Sequence, residues 1–461
     1  MITTRDRDEI LISTVIKFIK RNATPNLQNM IGKTHSADIA HLFPHLRPEE
    51  KSVLFNILIK AKRMGEVMSE LNSEDRNFFI QTTDPLVTAE VLHSMPADDV
   101  NDILADLSED EREELLKLIK GKASEDLEQL LQYEEKTAGH IMTPNFFALS
   151  EDTTAAKATE RIREMADVEM VFYVYVIDEE NRLKGVISLR QLVTTKPDTP
   201  LKNLMTTRIY TVYTSTLQEE VARVVARYNL LAVPVIDDAE GLVGIVTIDD
   251  VIDVIREENT EDMLKMAGTG DVNIASKSVF KNTRARLPWL FASFVGGLIA
   301  VYMIGRFEGQ LAQLAALAAF IPIIMGMGGN IGTQSSTIIV RGLATGEVDP
   351  KEVWSVLWRE FATGASLGSI YGLLLGASAK FRFWTIEVGG LQLAWEFPVV
   401  VALSICVNMI IAATVGAVIP MFFRRIRIDP AIATGPFVTT SIDVLGIFSY
   451  FMIAQVFLPL S

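Results

Sequence analysis

The sequence predicts a multidomain chain: an α-helical superhelical amino-terminal domain, an α/β tandem repeat, and an all-α membrane domain with five transmembrane helices. Three observations carry this. Short helix-start phrases recur before residue 137. A β-rich pattern repeats itself between residues 138 and 258. After Leu287, apolar stretches follow one another with very few charges.

The composition supports that division. The chain has 461 residues, which at roughly 150 residues per domain suggests about three domains. Its net charge is −15, from 43 basic and 58 acidic residues. From Leu287 onward there are 9 basic and 9 acidic residues, so the first 286 residues carry all of the excess acid. An acidic head argues against a nucleic-acid surface. The single cysteine, Cys406, excludes an internal disulfide framework and a cysteine-rich zinc site.

Residues 1–137 read as stacked short helices. Apolar residues are followed by caps and early acids at Leu46-Arg47-Pro48-Glu49-Glu50, Leu71-Asn72-Ser73-Glu74-Asp75, Met95-Pro96-Ala97-Asp98-Asp99 and Leu107-Ser108-Glu109-Asp110-Glu111. Ser73 and Ser108 suit N-caps, and Pro48 and Pro96 suit first turns. Each helix is too short to stand alone, which points to a small solenoid. The acids complement the helix dipoles, and Asp98 and Asp99 are also candidate cation ligands.

The repeat runs 138–200 and 201–258. Its first copy opens at Ala138-Gly139-His140-Ile141-Met142-Thr143-Pro144 and closes at Gly185-Val186-Ile187-Ser188. The second opens at Leu201-Lys202-Asn203-Leu204-Met205-Thr206 and closes at Gly244-Ile245-Val246-Thr247-Ile248-Asp249-Asp250. Apolar runs at Val171–Ile177 and Ala232–Ile236 read as strands, and Ala155–Met165 and Leu217–Tyr228 as helices. These residues resemble a tandem cystathionine-β-synthase-type (CBS) module. The resemblance implies a possible ATP or other adenine-nucleotide site at Gly244, Thr247 and Asp250, with Arg190 as a further contact. The first copy has Gln191 where that motif carries Asp. The other role for the pocket is structural, as a dimerising surface.

The connector, residues 259–286 with the end of the second repeat, begins as an acidic amphipathic helix. Val251, Ile252, Ile255 and Met263 fall near helical spacing. Asp250, Asp253, Glu257 and Glu261 stand on neighbouring turns, where like charges repel. A solvated face is the simple reading. A hard divalent cation such as Mg²⁺ or Ca²⁺ is the other, because oxygen ligands suit it. Glu258 and Asp262 extend the acidic run, which leads through Gly268-Thr269-Gly270 into the membrane domain.

Residues 287–461 form the membrane domain. A helix needs about 20 apolar residues to cross a bilayer. Leu287–Gly305, Gly309–Val340, Phe361–Ala379, Phe397–Phe423 and Pro430–Ser461 meet that length. The first twenty residues are too charged for a cleavable signal peptide. Ten basic residues, from Lys277 to Arg427, flank the spans on one side, against Arg306, Lys380 and Arg382 on the other. The positive-inside rule then puts the amino terminus in the cytoplasm and Ser461 outside.

Asp443 is the one charge in the last span, and a charge at that depth marks an ion or proton path. Thr439, Thr440 and Gly446 lie within a helical turn of it. The second span carries Asn330, Gln334 and several hydroxyls, which need partners or water in lipid, so Asn330 and Gln334 are candidate pore-lining residues. Asn408 on the fourth span is a further candidate, with interhelical packing as its other role.

The segments Pro322…Gly328-Gly329-Asn330…Gly332…Gln334 and Gly435-Pro436-Phe437-Val438-Thr439-Thr440…Asp443 resemble the MgtE family of magnesium transporters and channels, as does the order of domains along nearly the whole chain. The resemblance implies a plasma-membrane homodimer with its cation path along the subunit interface. Asp443 would hold hydrated Mg²⁺, Thr439 and Gly446 would stand near the ion, and Asp429 would mark the cytoplasmic pore mouth. Asp98, Asp99, Asp250, Asp253, Glu257, Glu258, Glu261, Asp262 and Asp429 would form a cytosolic Mg²⁺ sensor that shuts the pore when loaded. The chain has no G-x-x-x-x-G-K-[ST] phosphate loop, so transport is expected to be passive. No nucleophile–base constellation points to an enzyme. Two alternatives stand: a transporter for Co²⁺, Zn²⁺ or Mn²⁺, and a non-conducting membrane sensor built on the CBS pair. All five histidines precede residue 141, and oxygen ligands alone around Asp443 favour Mg²⁺.

Overall fold

A computed structural model describes residues 4–119, 122–164, 172–269, 279–349, 351–382, 387–388, 391–392, 395–433 and 435–458. Met165, Val171, Gly270, Lys277, Thr434 and Ser461, which the sequence analysis uses, lie outside these residues. The chain folds as two compact units, Met1–Arg256 and Glu257–Ser461.

The first unit opens with short helices, among them Pro48–Lys60, Met64–Glu70, Ser73–Thr82, Pro85–His93, Ala97–Ala105 (α1) and Glu109–Leu118. They share one core through Leu54, Phe55, Leu58, Val67, Phe79 and Leu104. Ser108 is an N-cap, closing a capping box with Glu111, and Pro48 is in the first turn, as the sequence suggests. Two start signals are displaced by one residue. Asn72, not Ser73, caps its helix, because its side chain accepts the Asp75 N–H. Pro96 holds the cap position rather than the first turn of α1.

The repeat folds twice into the same small sheet. Ala148–Ser150 pairs in parallel with Tyr173–Ile177, which pairs antiparallel with Leu183–Ser188. Val212–Tyr213, Ala232–Ile236 and Leu242–Thr247 reproduce that order. Both sheets carry a bulge at the equivalent step, Val176/Ile177 and Val235/Ile236. The copies also exchange methionines. A Cβ on Gly244 would come within 2.6 Å of the Met142 sulfur, and one on Gly185 within 2.5 Å of the Met205 sulfur. Each glycine admits the methionine that opens the other copy's motif.

The helix Ile248–Met266 (α2) follows, and the boundary between the two units falls within it. Its apolar stripe differs from the sequence expectation. Val251 and Val254 are the buried positions, whereas Ile252, Ile255 and Met263 are exposed. The 3.6-residue period leaves several apolar faces open, and tertiary packing selects one of them.

Among the described residues, the second unit contains five helices long and apolar enough to cross a membrane. They are Val279–Arg306 (α3), Ile321–Thr345 (α4), Val353–Arg382 (α5), Glu396–Arg425 (α6) and Pro436–Phe457 (α7). The stretch read as one span from Gly309 is broken. A helix ends at Gln313, a 3₁₀ turn covers Ala315–Phe320, and α4 then starts with Pro322 in its first turn. Proline lacks the N–H and crowds the preceding turn, so the α-helix restarts there. For the same reason α7 starts at Pro436, not Pro430. The third helix begins earlier than Phe361, which brings Arg359 and Glu360 inside it.

Helix α6 is the most covered of the five. Gly364, Gly368, Gly372 and Gly376 of α5 lie along it, and a Cβ on any of them would come within 2.7–2.9 Å of α6 atoms. Small residues at this spacing let two membrane helices approach through backbone contacts.

Candidate functional site

The α7 carboxylate comes first. At about 100° per residue, Thr439, Asp443 and Gly446 fall within one narrow wedge of the helix. The exposed apolar side chains Phe437, Leu445, Phe448, Met452 and Val456 occupy the opposite side. Neighbouring faces are taken by other helices. A Cβ on Gly332 of α4 would be 2.0 Å from Ile442, and one on Gly296 of α3 would be 2.2 Å from Thr440. Asp443 itself is half-buried. The Thr439 hydroxyl donates to the Gly435 carbonyl at 3.1 Å and the Thr440 hydroxyl to the Pro436 carbonyl at 2.5 Å, which leaves oxygen lone pairs available. The Gly446 carbonyl accepts from Ser449 at 3.0 Å.

Asn330 and Gln334 share one face of α4 at i, i+4 spacing, and both are exposed. Asn408 differs. It is fully buried, and its amide donates to the Ile324 carbonyl at 2.6 Å. Its other amide atom, Oδ1, is buried without a hydrogen-bond partner. A Cβ on Gly446 would come within 2.4 Å of that Oδ1, and one on Gly328 within 2.5 Å of Nδ2. Asn408 therefore ties α4, α6 and α7 together, and Gly446 is the residue that makes room for it.

The acids divide into two groups. In the first unit, α1 and the first turns of α2 bring Asp98, Asp99 and Asp250 within electrostatic reach of one another, with Asp249 and Asp253 nearby. Burial first, and then the neighbouring Asp250 and Asp99, push the Asp98 carboxyl well above the usual carboxylate range. Burial raises Asp99 too, against a 2.6 Å hydrogen bond from Ser69 and the charge of Arg76. Burial pushes Asp250 up to about 7, despite a 2.5 Å hydrogen bond from Thr247. Asp98 Oδ1 is buried with no hydrogen-bond partner. A bound cation would relieve both the repulsion and the unsatisfied oxygen.

In the second unit Asp429 is already engaged. Its Oδ1 accepts the Ala431 N–H at 2.8 Å, and its Oδ2 accepts from Lys265 Nζ at 2.7 Å. Lys265 also pairs with Glu261. Burial opposes the lysine's charge, but the hydrogen bonds and charges of Asp429 and Glu261 outweigh it and raise its pKa. Glu257 is exposed, Glu258 and Asp262 are half-buried, and Asp253 pairs with Arg256 at 3.2 Å on the surface.

Asp250 therefore sits with the acids. Arg190 is exposed on the helix Leu189–Thr194 and is not among the charges that act on them. Thr247 donates to Asp249 and Asp250, and Gly244 is covered by Met142. Gln191, in the first copy, donates from its side chain to the Leu204 carbonyl at 2.7 Å.

Among the described residues, no three His, Cys, Asp or Glu side chains close on a single point as a complete metal cage. A cation at either acidic group, or at Asp443, would keep part of its water, which suits Mg²⁺. Sequence reading missed Lys265, whose partner Asp429 is far along the chain. It also missed Glu360, buried in α5 and accepting from Ser335 Oγ at 2.7 Å. Extending the third span by one turn toward its charged end would have exposed that acid as intramembrane.

Comparison with known proteins bears on the domains and their order. A family profile described as MgtE, divalent cation transporter, matches residues 321–453. The MgtE intracellular N domain matches residues 34–136, and CBS domains match 138–198 and 201–257. A magnesium transporter MgtE of Thermus thermophilus is 33% identical over 98% of this chain and 99% of its own length. One of Bacillus subtilis is 32% identical over 99% of each. The crystal structure of the cytosolic domain of the Mg²⁺ channel MgtE in complex with ATP is 34% identical, with a TM-score of 0.51, over 53% of this chain and 99% of that one. The crystal structure of the soluble part of a magnesium transporter is 30% identical, also with a TM-score of 0.51, over 54% of this chain and 99% of that one. With full-length relatives at this identity, the same domains in the same order and five helices fit to span a bilayer, the chain belongs to the MgtE family of multi-pass membrane transporters.

Proposed function

We propose that the chain moves Mg²⁺ across the plasma membrane as a Mg²⁺-selective, channel-like homodimer with its amino terminus in the cytoplasm. The observation that carries this reading is the polar wedge of α7, with the half-buried Asp443 beside Thr439 and Gly446 and opposite the apolar face. A lone carboxylate there does not complete a site, and a second copy across a two-fold axis would supply its counterpart. Oxygen ligands that leave the ion most of its water suit Mg²⁺, which dehydrates reluctantly. Asn330 and Gln334 would line the same path, while Asn408 holds the helices that form it.

Gating follows from the acids. Cytosolic Mg²⁺ would bind the Asp98–Asp99–Asp250 group and the acidic run from Asp253 to Asp262, stabilise the closed form and so limit its own entry. An ion that binds one state better shifts the population toward it.

The test is Mg²⁺ flux into vesicles, wild type against Asp443→Ala, with internal Mg²⁺ varied. The variant should show only the leak of empty vesicles, and raised internal Mg²⁺ should slow the wild type. Unchanged flux in the variant would instead favour a non-conducting sensor. Equal competition by Co²⁺, Zn²⁺ or Mn²⁺ would widen the substrate class. Nucleotide binding at the CBS pair is a second reading, favoured by the relative solved with ATP. Arg190, exposed and cationic, is the residue to test there: ATP should raise the Tm of the wild type but not of Arg190→Ala.

A further inference from the structure

A cavity of about 420 Å³ opens between α4 and α5. Glu360, Ser335, Gln334, Thr363, Glu347 and Arg359 contribute its polar lining. Glu360 is only 5% exposed and lies about 10 Å along α5 from its first residue, at 1.5 Å per residue. An ionisable group at such a position is costly, and it is retained where it meets an ion, water or a partner.

Two polar neighbours on the chain are close to it. Oε2 accepts one hydrogen bond, from Ser335 at 2.7 Å. The nearest basic group to Oε1 is Arg359 Nε at 4.0 Å, beyond hydrogen-bond range, and that guanidinium is largely solvent-facing. A carboxylate has about four acceptor sites. Ser335 takes one of them, and the same carboxylate lines the cavity. Glu347 stands on the same cavity wall, so the lining carries two negative charges and one positive.

We propose that this cavity is a cation-binding site for a hard metal ion that keeps much of its water, separate from Asp443 on α7. The donors facing it are carboxylate, hydroxyl and amide oxygens, which select Mg²⁺, Ca²⁺ or Mn²⁺ over softer ions. Its volume fits that ion. Six waters at about 30 Å³ each occupy roughly 180 Å³, so a hexahydrated ion enters with room to spare. Glu360 anchors the ion, Ser335 orients the carboxylate, and Thr363 accepts from the bound water. Arg359 lowers the net charge, so the site takes one divalent ion rather than two.

The test uses Mn²⁺ as an EPR-visible probe on the full chain in detergent. Glu360→Gln should bind one Mn²⁺ fewer per chain than wild type, and Mg²⁺ should compete for the ion that is lost. Glu347→Gln, a change at an exposed position that preserves folding, should weaken one class of bound Mn²⁺ about tenfold. An unchanged Mn²⁺ number in Glu360→Gln overturns the proposal, even if flux changes, because Glu360 would then serve only to fasten α5 to α4. If Glu360→Gln does not fold, unchanged Mn²⁺ affinity in Glu347→Gln overturns it instead.

Discussion

Two acidic groups in this chain meet the same problem in opposite ways. Around Asp98, Asp99 and Asp250, carboxylates crowd one another, and Arg76 offsets part of the charge at Asp99. Around Asp429 and Glu261 the chain supplies its own cation, Lys265. The first group carries mutual repulsion that a proton or a bound cation would relieve. The second is bridged by that ammonium and hydrogen-bonded as it stands. A protein that reads metal concentration needs the first kind of group, since a tethered ammonium cannot leave. A fixed joint is better served by the second.

The largest expected effect breaks the first half of that contrast. Replacing Asp98 and Asp250 with Asn removes the repulsion while keeping the shape. In EDTA at pH 7.5 the Tm of the amino-terminal unit, expressed alone as in its crystallised relatives, should rise by several degrees. The further rise on adding Mg²⁺ should nearly vanish. A Mg²⁺-induced shift equal to that of the wild type would show that the ion acts elsewhere.

Acid should mimic the same change. Asp98 and Asp250 hold their protons in the folded state above the pH at which an unfolded carboxylate loses them, near 3.9. Between about pH 4 and 7 the native state therefore binds more protons than the unfolded one, and this group's contribution to stability falls as pH rises. Thermal melts in EDTA should show the Tm declining from pH 5 to 7.5. With saturating Mg²⁺ the decline should be much smaller, because the ion replaces the proton. A metal-free Tm that climbs across this window would contradict the pKa direction.

Lys265→Met tests the second half of the contrast. Removing the tethered cation takes away the ammonium that Glu261 and Asp429 share. The pair is partly solvated, so the loss should be about 1–2 kcal/mol rather than the larger cost of a fully buried pair. Mg²⁺ should now stabilise the full chain in detergent more than it stabilises the wild type. If the Mg²⁺ response is unchanged, Lys265 is not standing where a metal ion would.

The smallest effect serves as a control. Ser108→Ala removes the N-cap of the helix Glu109–Leu118 and should cost about 1 kcal/mol. Urea melts with and without Mg²⁺ should show the same loss in both, since this cap takes no part in either acidic group.

Much of the fold was legible because its signals are local. The Ser108 cap, Pro48 in a first turn and the doubled CBS motif announce themselves within a few residues. Asp443 stood out because it is a single charge in a long apolar run. Glu360 did not, since it borders the charged end of its helix and looks like a flank. The break before Pro322 was hidden inside a continuous apolar stretch, where hydropathy does not distinguish helix from turn. Asn408 read as a pore candidate from its type alone, yet its burial against Gly328 and Gly446 depends on where three helices cross.

Sequence by itself determined the division into domains, the number of helices able to cross a bilayer, and which carboxylates are candidates for metal chemistry. These depend on composition and on spacings within one helix or strand. Only the tertiary structure decided which acids are pressed together, which one is answered by Lys265 across 164 residues of chain, and which methionine fills which glycine. Electrostatic energy depends on separation in space and on burial, and neither quantity is fixed until the chain has packed.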